Sequence, residues 1–249
     1  TQFTSPASLN YLGGYAFENN NFNNGVFFYT YLTHLYNHSA EIKGCVAPCA
    51  SDLVIPSSIN NLNVIGILEN AFLNKDLDSI DIFIGGLQAI GEAAFSGNNL
   101  RHVKIPSGVT SIAKYAFANN QLQNISLPSS LESLGDYAFA HNEISELFIC
   151  SQYYCGLTSL GEGAFSNNQL SSVIIEDTFS DNISEIASYT FAQNLLESLD
   201  LPNGIKNIGN HAFFKNQLTT LTLPATGTLI GASAFSENKL SSITIPNSY

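Results

Sequence analysis

The chain has 249 residues, which is long enough to bury a sizeable core. It carries 20 acidic and 8 basic side chains, which give a formal net charge of −12 at pH 7. Such a surface repels nucleic acid and anionic lipid, and no apolar run approaches the roughly 18 residues of a membrane-spanning helix. We therefore expect neither nucleic-acid binding nor membrane insertion.

The dipeptide Ala-Phe recurs along the chain at a nearly fixed interval, which indicates a repeat protein. It occurs at Ala16-Phe17, Ala71-Phe72, Ala94-Phe95, Ala116-Phe117, Ala138-Phe139, Ala164-Phe165, Ala212-Phe213 and Ala234-Phe235, with Thr190-Phe191 as a variant. Successive Phe residues are mostly 22 or 23 positions apart, and two intervals of 26 indicate insertions of four residues. The repeat period is therefore about 22 residues.

In chain order, the sequence divides into three parts. Residues 1–21 form a truncated N-terminal repeat, and residues 22–52 form a degenerate repeat or insertion that is rich in aromatic residues. Residues 53–249 contain the regular repeats. We expect the regular part to be one continuous solenoid domain.

Each regular unit predicts a short strand followed by a compact return. The alternation in Ile125-Ser126-Leu127 is typical of a strand with two inward side chains. The stretch from Leu131 to Phe139 suits a 3₁₀ turn or a short helix on the opposite side. The residues expected to point inward are Leu122, Ile125, Leu127, Leu131, Leu134 and Phe139. One unit cannot enclose them alone, so the sequence predicts an α/β solenoid with parallel strands on one face and turns or short helices on the other.

A column of Asn residues follows the Phe residues by three positions. Its members are Asn20, Asn98, Asn120, Asn142, Asn168, Asn194, Asn216 and Asn238, and Lys75 is the exception. A side-chain amide both accepts and donates hydrogen bonds, so it can connect backbones of stacked turns. We interpret the column as a structural ladder.

These units resemble the BspA-like branch of the leucine-rich-repeat superfamily. The segments Ile90-Gly91-Glu-Ala-Ala94-Phe95 and Ile105-Pro106-Ser-Gly-Val109-Thr-Ser-Ile112 match its pattern, and the resemblance covers residues 53–249 and the truncated first unit. It implies a leucine-rich-repeat arc in a secreted or cell-surface protein, mostly microbial, that serves adhesion or partner binding. The implied partner is a protein, such as a host or neighbouring-cell surface protein.

The two units that contain insertions of four residues also carry the least polar residues at the outward positions of their strands. Outward positions along the predicted strands are mostly small or polar, but Phe148 and Ile174 break this pattern in adjacent units. The insertions after these strands bear further aromatic residues. The candidate binding residues are Glu146, Phe148, Tyr153, Tyr154, Ile174 and Phe179. Such an apolar cluster with a charged rim has the composition of an interaction hot spot, although insertions folded over the strands would instead bury it as a local core.

The four cysteines form two local pairs, Cys45 with Cys49 and Cys150 with Cys155. An even number of locally paired cysteines favours two disulfides and an oxidising compartment. An alternative is a zinc site formed by His34, His38, Cys45 and Cys49, although this spacing matches no strong template.

Other chemistry is sparse. The three histidines His102, His141 and His211 fall in different units at different positions, so no catalytic set converges on any of them. We expect no enzyme activity and no cofactor. The predicted function is a non-catalytic binding or adhesion module, and the alternatives are a passive spacer in a larger surface protein or a metal-containing module.

The C-terminal end of the predicted stack lacks a polar cap. The last strand, Ile243-Thr244-Ile245, is followed by only a few residues. Unpaired strand edges associate with other strands. We expect this face to be covered by further chain beyond Tyr249 or by end-to-end self-association.

Overall fold

The computed structural model describes residues 27–32 as backbone, and in full residues 39–45, 49–59, 61–83, 85–149, 156–175, 183–225 and 227–246. These residues form strands and turns and no helix. The strands are β1 (Phe27–Leu32), β2 (Ser39–Cys45), β3 (Asp52–Ile55), β4 (Ser58–Ile59), β5 (Leu62–Ile67), β6 (Ser79–Ile82), β7 (Ala89–Ile90), β8 (Ser111–Ile112), β9 (Ser133–Leu134), β10 (Glu146–Ile149), β11 (Ser159–Leu160), β12 (Ser172–Ile175), β13 (Glu185–Ile186), β14 (Asn207–Ile208), β15 (Thr220–Thr222), β16 (Leu229–Ile230) and β17 (Ser242–Thr244).

The regular repeats wind into a β-solenoid of about eight turns. One side, the first sheet face, carries the parallel pairs β3–β6, β10–β12 and β15–β17. Isolated parallel bridges join His102 to Asn124 and Asn124 to Glu146 on the same side. The outward strand positions of this face are therefore aligned from turn to turn.

The expectation of short helices opposite this face is wrong for the described residues. The segment after Leu131 instead contains β9, which lies in a second parallel sheet with β5, β7, β8 and β11. No helix forms here because the backbone bonds to the preceding turn of the solenoid. The Gly135 N–H, for example, donates to the Ile112 carbonyl of that turn at 2.8 Å. A turn of 22 residues satisfies its backbone through its neighbours, whereas a helix would need internal hydrogen bonds. The α/β description is corrected to a β-solenoid.

A ladder of Phe rings fills the centre of the stack. Eight rings from Phe72 to Phe235 stack in sequence, and each ring centroid is 5.2 to 6.0 Å from the next. The two widest spacings, 5.7 and 6.0 Å, flank Phe165, where the repeat intervals are longest. The inward residues predicted from the sequence are buried, apart from the partly buried Leu127.

The Asn column is confirmed as a ladder. The Asn120 amide accepts from the Leu100 N–H at 3.1 Å and donates to the carbonyls of Phe95 at 2.9 Å and Phe117 at 3.1 Å. It therefore bonds both to the preceding turn and to its own turn. Asn98, Asn142, Asn168, Asn194, Asn216 and Asn238 repeat this arrangement. Asn20 lies outside the described residues.

Residues with a left-handed backbone, that is with positive φ, lie two positions before and two positions after the Phe of each turn and bend the chain there. Around Phe117, for example, Tyr115 has φ 56° and Asn119 has φ 55°. Many of these positions are not glycine, and bulky residues pay a conformational cost there. The equivalent position in the turn of Phe191 is Gln193, with φ 57°.

The N-terminal part of the described chain differs from the regular repeats. Strand β1 pairs antiparallel with β2, and β2 pairs parallel with β5. The proposed division at residues 21 and 52 stays a prediction, because residues 1–26 lie outside the described residues.

Candidate functional site

The candidate site is built on two adjacent strands of the first sheet face. Strand β10 pairs parallel with β12, and the register places Phe148 opposite Ile174 and Glu146 opposite Ser172. Both strands alternate strictly between exposed and buried side chains. This alternation fixes which residues face solvent.

Buried neighbours hold the two strands in place. Leu147 and Ile149 of β10 and Val173 and Ile175 of β12 are all buried in the core. Because successive strand residues point to opposite faces, burial of these four forces the residues between them outward. Phe148 is 48% exposed and Ile174 is 45% exposed.

The surroundings of this pair are polar. One turn before, Asn124 and Ser126 occupy the equivalent outward positions, and one turn after, Ser198 and Asp200 do so. All of these residues are exposed. Phe148 and Ile174, which we call the apolar pair, therefore form a patch within a wet surface, with Glu146 at its edge.

The remaining predicted residues of the site lie outside the described residues. These are Tyr153, Tyr154 and Phe179, together with the cysteines Cys150 and Cys155. Residues 149 and 156 bound the first insertion, and residues 175 and 183 bound the second. The register of β10 with β12 pairs Ile149 with Ile175, the residues that precede the two insertions, and the expectation that the insertions lie side by side stays a prediction.

The other cysteine pair forms a disulfide. Cys45 at the end of β2 is bonded to Cys49, with their Cα atoms 5.7 Å apart. Zinc is bound by thiolates, and a disulfide sulfur is not such a ligand. His34 and His38 of the zinc alternative lie outside the described residues. Within the described part of the chain, no group of three or more His, Cys, Asp or Glu residues is placed to hold a metal ion.

Sequence reasoning missed a second exposed apolar spot on the same face. Val54 of β3 is 47% exposed, and Phe83, directly after β6, is 53% exposed. Val54 lies opposite Asp81 in the register of β3 with β6. The alternation in β3 could have revealed Val54, and the alternation in β6, which exposes Ser79 and Asp81, could have revealed Phe83 at the next outward position.

Aromatic rings on the outer turns stack on one another and connect neighbouring turns of the solenoid. The rings of Tyr115 and Tyr137 stack at 5.3 Å, and the Tyr137 hydroxyl donates to the Glu162 carboxylate at 2.8 Å. Partial burial is the main cause, and this hydrogen bond the second, of a Tyr137 pKa that lies far above its ordinary value of 10.0. Tyr189 and His211 form a second stack, with ring centroids 4.8 Å apart.

Solved structures share the fold of this chain. A leucine-rich repeat protein from Bacteroides ovatus aligns with a TM-score of 0.59 at 22% identity, over 91% of this chain and 66% of its own. The Treponema pallidum leucine-rich repeat protein aligns with a TM-score of 0.58 at 18% identity, over 85% and 86% of the two chains. The pneumococcal vaccine antigen PcpA aligns with a TM-score of 0.56 at 20% identity, over 91% and 69%.

The repeats themselves match a known family. Comparison with curated proteins finds no significant match. The BspA type leucine-rich repeat region, however, matches in six copies over residues 65–183 and 184–249. The matched ranges cover most of the solenoid, including β10 and β12. The resemblance carried by the Ile-Gly and Ala-Phe pairs is thereby confirmed, and the chain belongs to the BspA-type leucine-rich repeat family.

Proposed function

We propose that this repeat module binds a protein partner through the apolar pair and the adjoining insertions. The observation that carries the proposal is the placement of two large apolar side chains, about half exposed, in register between turns whose outward strand residues are polar. Exposed apolar clusters with a polar rim are typical of protein interfaces. The binding residues proposed are Glu146, Phe148, Tyr153, Tyr154, Ile174 and Phe179.

The family supports a role without catalysis. BspA-type and other leucine-rich repeats are generally non-enzymatic scaffolds. The long sheet face of a solenoid offers an extended surface to a macromolecule. The pneumococcal structure with the same fold is that of a vaccine antigen.

We place the module in a secreted or cell-surface protein. The Cys45–Cys49 disulfide supports this location, because disulfides persist in oxidising compartments. The described residues contain no helix, so none of them forms a helical membrane span.

Site-specific photo-crosslinking tests the binding proposal. A photoreactive amino acid at position 148 should link the chain to one partner, whereas the same group at Thr222, an exposed position of β15 on the same face, should not. Alanine at Phe148 and Tyr154 should then weaken the identified complex by about 1–3 kcal/mol without changing the unfolding temperature. A passive spacer would give no specific link at either position. A loss of thermal stability in the alanine variant would show instead that these residues belong to a local core and do not form a binding site.

The C-terminal end of the stack supports a second proposal, end-to-end self-association of the 249-residue chain. Ile243 is 54% exposed and Ile245 is 60% exposed, and β16 and β17 are the last strands of their sheets. Exposed strand edges with apolar residues pair readily. Sedimentation velocity should detect a dimer that Ile243→Lys with Ile245→Lys abolishes. A concentration-independent monomer would contradict this proposal.

A further inference from the structure

A basic site lies on the same sheet face as the apolar pair. It consists of His102 and Lys104, which occupy outward strand positions, together with Arg101 directly before them, and all three are exposed. The chain has only 8 Lys and Arg residues, and two of them fall within these four consecutive positions. Neither Arg101 nor Lys104 forms an ion pair with any described residue, so both charges are free to meet a ligand.

The register of the turns fixes the distance from the basic site to the apolar pair. Bridges connect His102 to Asn124 and Asn124 to Glu146, so two turns separate Lys104 from Phe148. At about 4.8 Å per turn this corresponds to about 10 Å. The turn between them presents the small, uncharged Asn124 and Ser126. No described side chain of large size blocks a ligand that crosses from one site to the other.

Acidic residues bracket the basic site on both sides. Asp81 is exposed at the equivalent outward position one turn before Lys104, and Glu146 is exposed two turns after His102. A polyanion laid along the face would meet these carboxylates and the net charge of −12. The site is therefore suited to one isolated acidic group and is unsuited to nucleic acid or a sulfated polysaccharide.

From these observations we propose the chemistry of the partner. It is a protein segment that places one Asp or Glu on the basic site and an apolar side chain on the apolar pair. In a polyproline II segment that crosses the strands, residues three positions apart point to the same side and lie about 9 Å from each other, close to the separation of the two sites. The partner motif is thus an acidic residue followed or preceded at the third position by a large apolar residue, and this inference rests on the proposed binding function of the apolar pair.

Synthetic peptides test the motif directly. The probes are immobilised Ser-rich peptides that carry one Asp and one Phe, with the separation varied from one to six positions. Matched peptides replace Asp by Asn or Phe by Ser. Binding of the whole 249-residue chain should be strongest at a separation of three and should fall about tenfold when Asp becomes Asn, since a charge-assisted contact is then lost.

Protein variants assign the contacts. Lys104→Glu should reduce binding about tenfold in about 0.05 M salt and much less in about 0.5 M salt, because exposed charges are screened. Lys206→Glu makes the same charge change at an exposed residue before β14, which pairs with β13 and β16, and should leave binding unchanged. Unchanged unfolding temperatures show that both variants are folded.

The outcomes separate this inference from the proposed function. If Phe148→Ser abolishes binding but Lys104→Glu and the Asn peptides have no effect, the partner motif is overturned and the binding site stands. If no peptide binds, or if neither Phe148→Ser nor the loss of Phe from the peptide has an effect, the partner motif is overturned. The proposed function fails as well only if the photoreactive group at position 148 gives no specific link to a partner. Tighter Lys104-dependent binding of heparin or single-stranded DNA than of the Asp peptides overturns the inference in favour of a polyanion.

Discussion

Substitution of Asn120 by Asp is the most informative test of the amide ladder. The carboxylate keeps an acceptor for the Leu100 N–H, which Asn120 now bonds at 3.1 Å. It replaces the donor, however, with a negatively charged oxygen opposite the carbonyls of Phe95 and Phe117. Asn120 is 8% exposed, so this charge is placed in a nearly dry environment.

The alanine variant sets the scale of the effect. The carbonyls of Phe95 and Phe117 keep other partners in the ladder, the amides of Asn98 and Asn142. Asn120→Ala therefore orphans mainly the Leu100 N–H, at about 1–3 kcal/mol, and removes hydrogen bonds that each contribute about 0.5–1.5 kcal/mol. We expect a loss of about 2–4 kcal/mol, and a larger loss for Asp because an unpaired buried charge adds to it.

The pH dependence distinguishes the ladder from simple crowding. The Asp variant has a folded-state carboxyl that is protonated more readily than in the unfolded chain, since the neutral acid can donate to a carbonyl. Its stability relative to Asn120→Ala should therefore improve as the pH falls toward the ordinary Asp pKa of about 3.9 and worsen as the pH rises above it. Thermal unfolding followed by circular dichroism measures this, with about 2–4 °C expected for each kcal/mol.

Asn119 provides the matched control. It is the adjacent residue, is exposed and has a left-handed backbone that Asp tolerates. Asn119→Asp should leave stability within about 0.5 kcal/mol of the wild type. Equal effects at the two positions, or an Asn120→Asp variant with the same pH dependence as Asn120→Ala, would refute the role assigned to the amide.

Three further predictions follow from the packing of the turns and from the cysteines. Gly91→Ala places a Cβ 2.6 Å from the Glu69 nitrogen and should cost about 1–3 kcal/mol, whereas Gly86→Ala, whose nearest contact is 3.6 Å, should be nearly neutral in the same urea titration. Gln193→Asn should stabilise the chain by up to about 1 kcal/mol by relieving its φ of 57°, and Gln88→Asn, at a position without positive φ, should not. Mass spectrometry of unreduced peptides should find Cys150 joined to Cys155 as well as Cys45 to Cys49, and free thiols at Cys150 and Cys155 would contradict the second pairing.

The repeat made the core predictable because each inward position is observed many times in one chain. Phe139 and Asn142 occur in the same register as their counterparts in other turns, so a single unit predicts the ladder of rings and the ladder of amides. The second sheet was not predictable in the same way. Its strands after β5 are only two residues long, as in Ser133–Leu134, and such a segment has too few residues to distinguish strand alternation from a helical turn.

The candidate site was predictable only in its regular part. Phe148 and Ile174 occupy strand positions whose direction is set by buried neighbours, so their exposure follows from period-two alternation. Phe83 lies one position beyond β6 and was missed, although it continues the exposed positions Ser79 and Asp81. The insertions have no counterpart in other units, so the placement of Tyr153, Tyr154 and Phe179 has no repeated pattern from which to be inferred.

Two groups of exposed apolar residues differ in what their exposure means. Ile230 and Ile243 are exposed at the end of the stack, whereas their counterparts one turn earlier, Ile208 and Leu221, are 2% and 3% exposed. Their exposure is thus a consequence of position, because an additional turn would bury them. Phe148 and Ile174 lie within the stack, where turns on both sides leave them uncovered, so no additional turn would bury them. The exposed half of an aromatic ring in mid-solenoid adds nothing to the packing of the core, and under the proposed function this half is the part that contacts the partner.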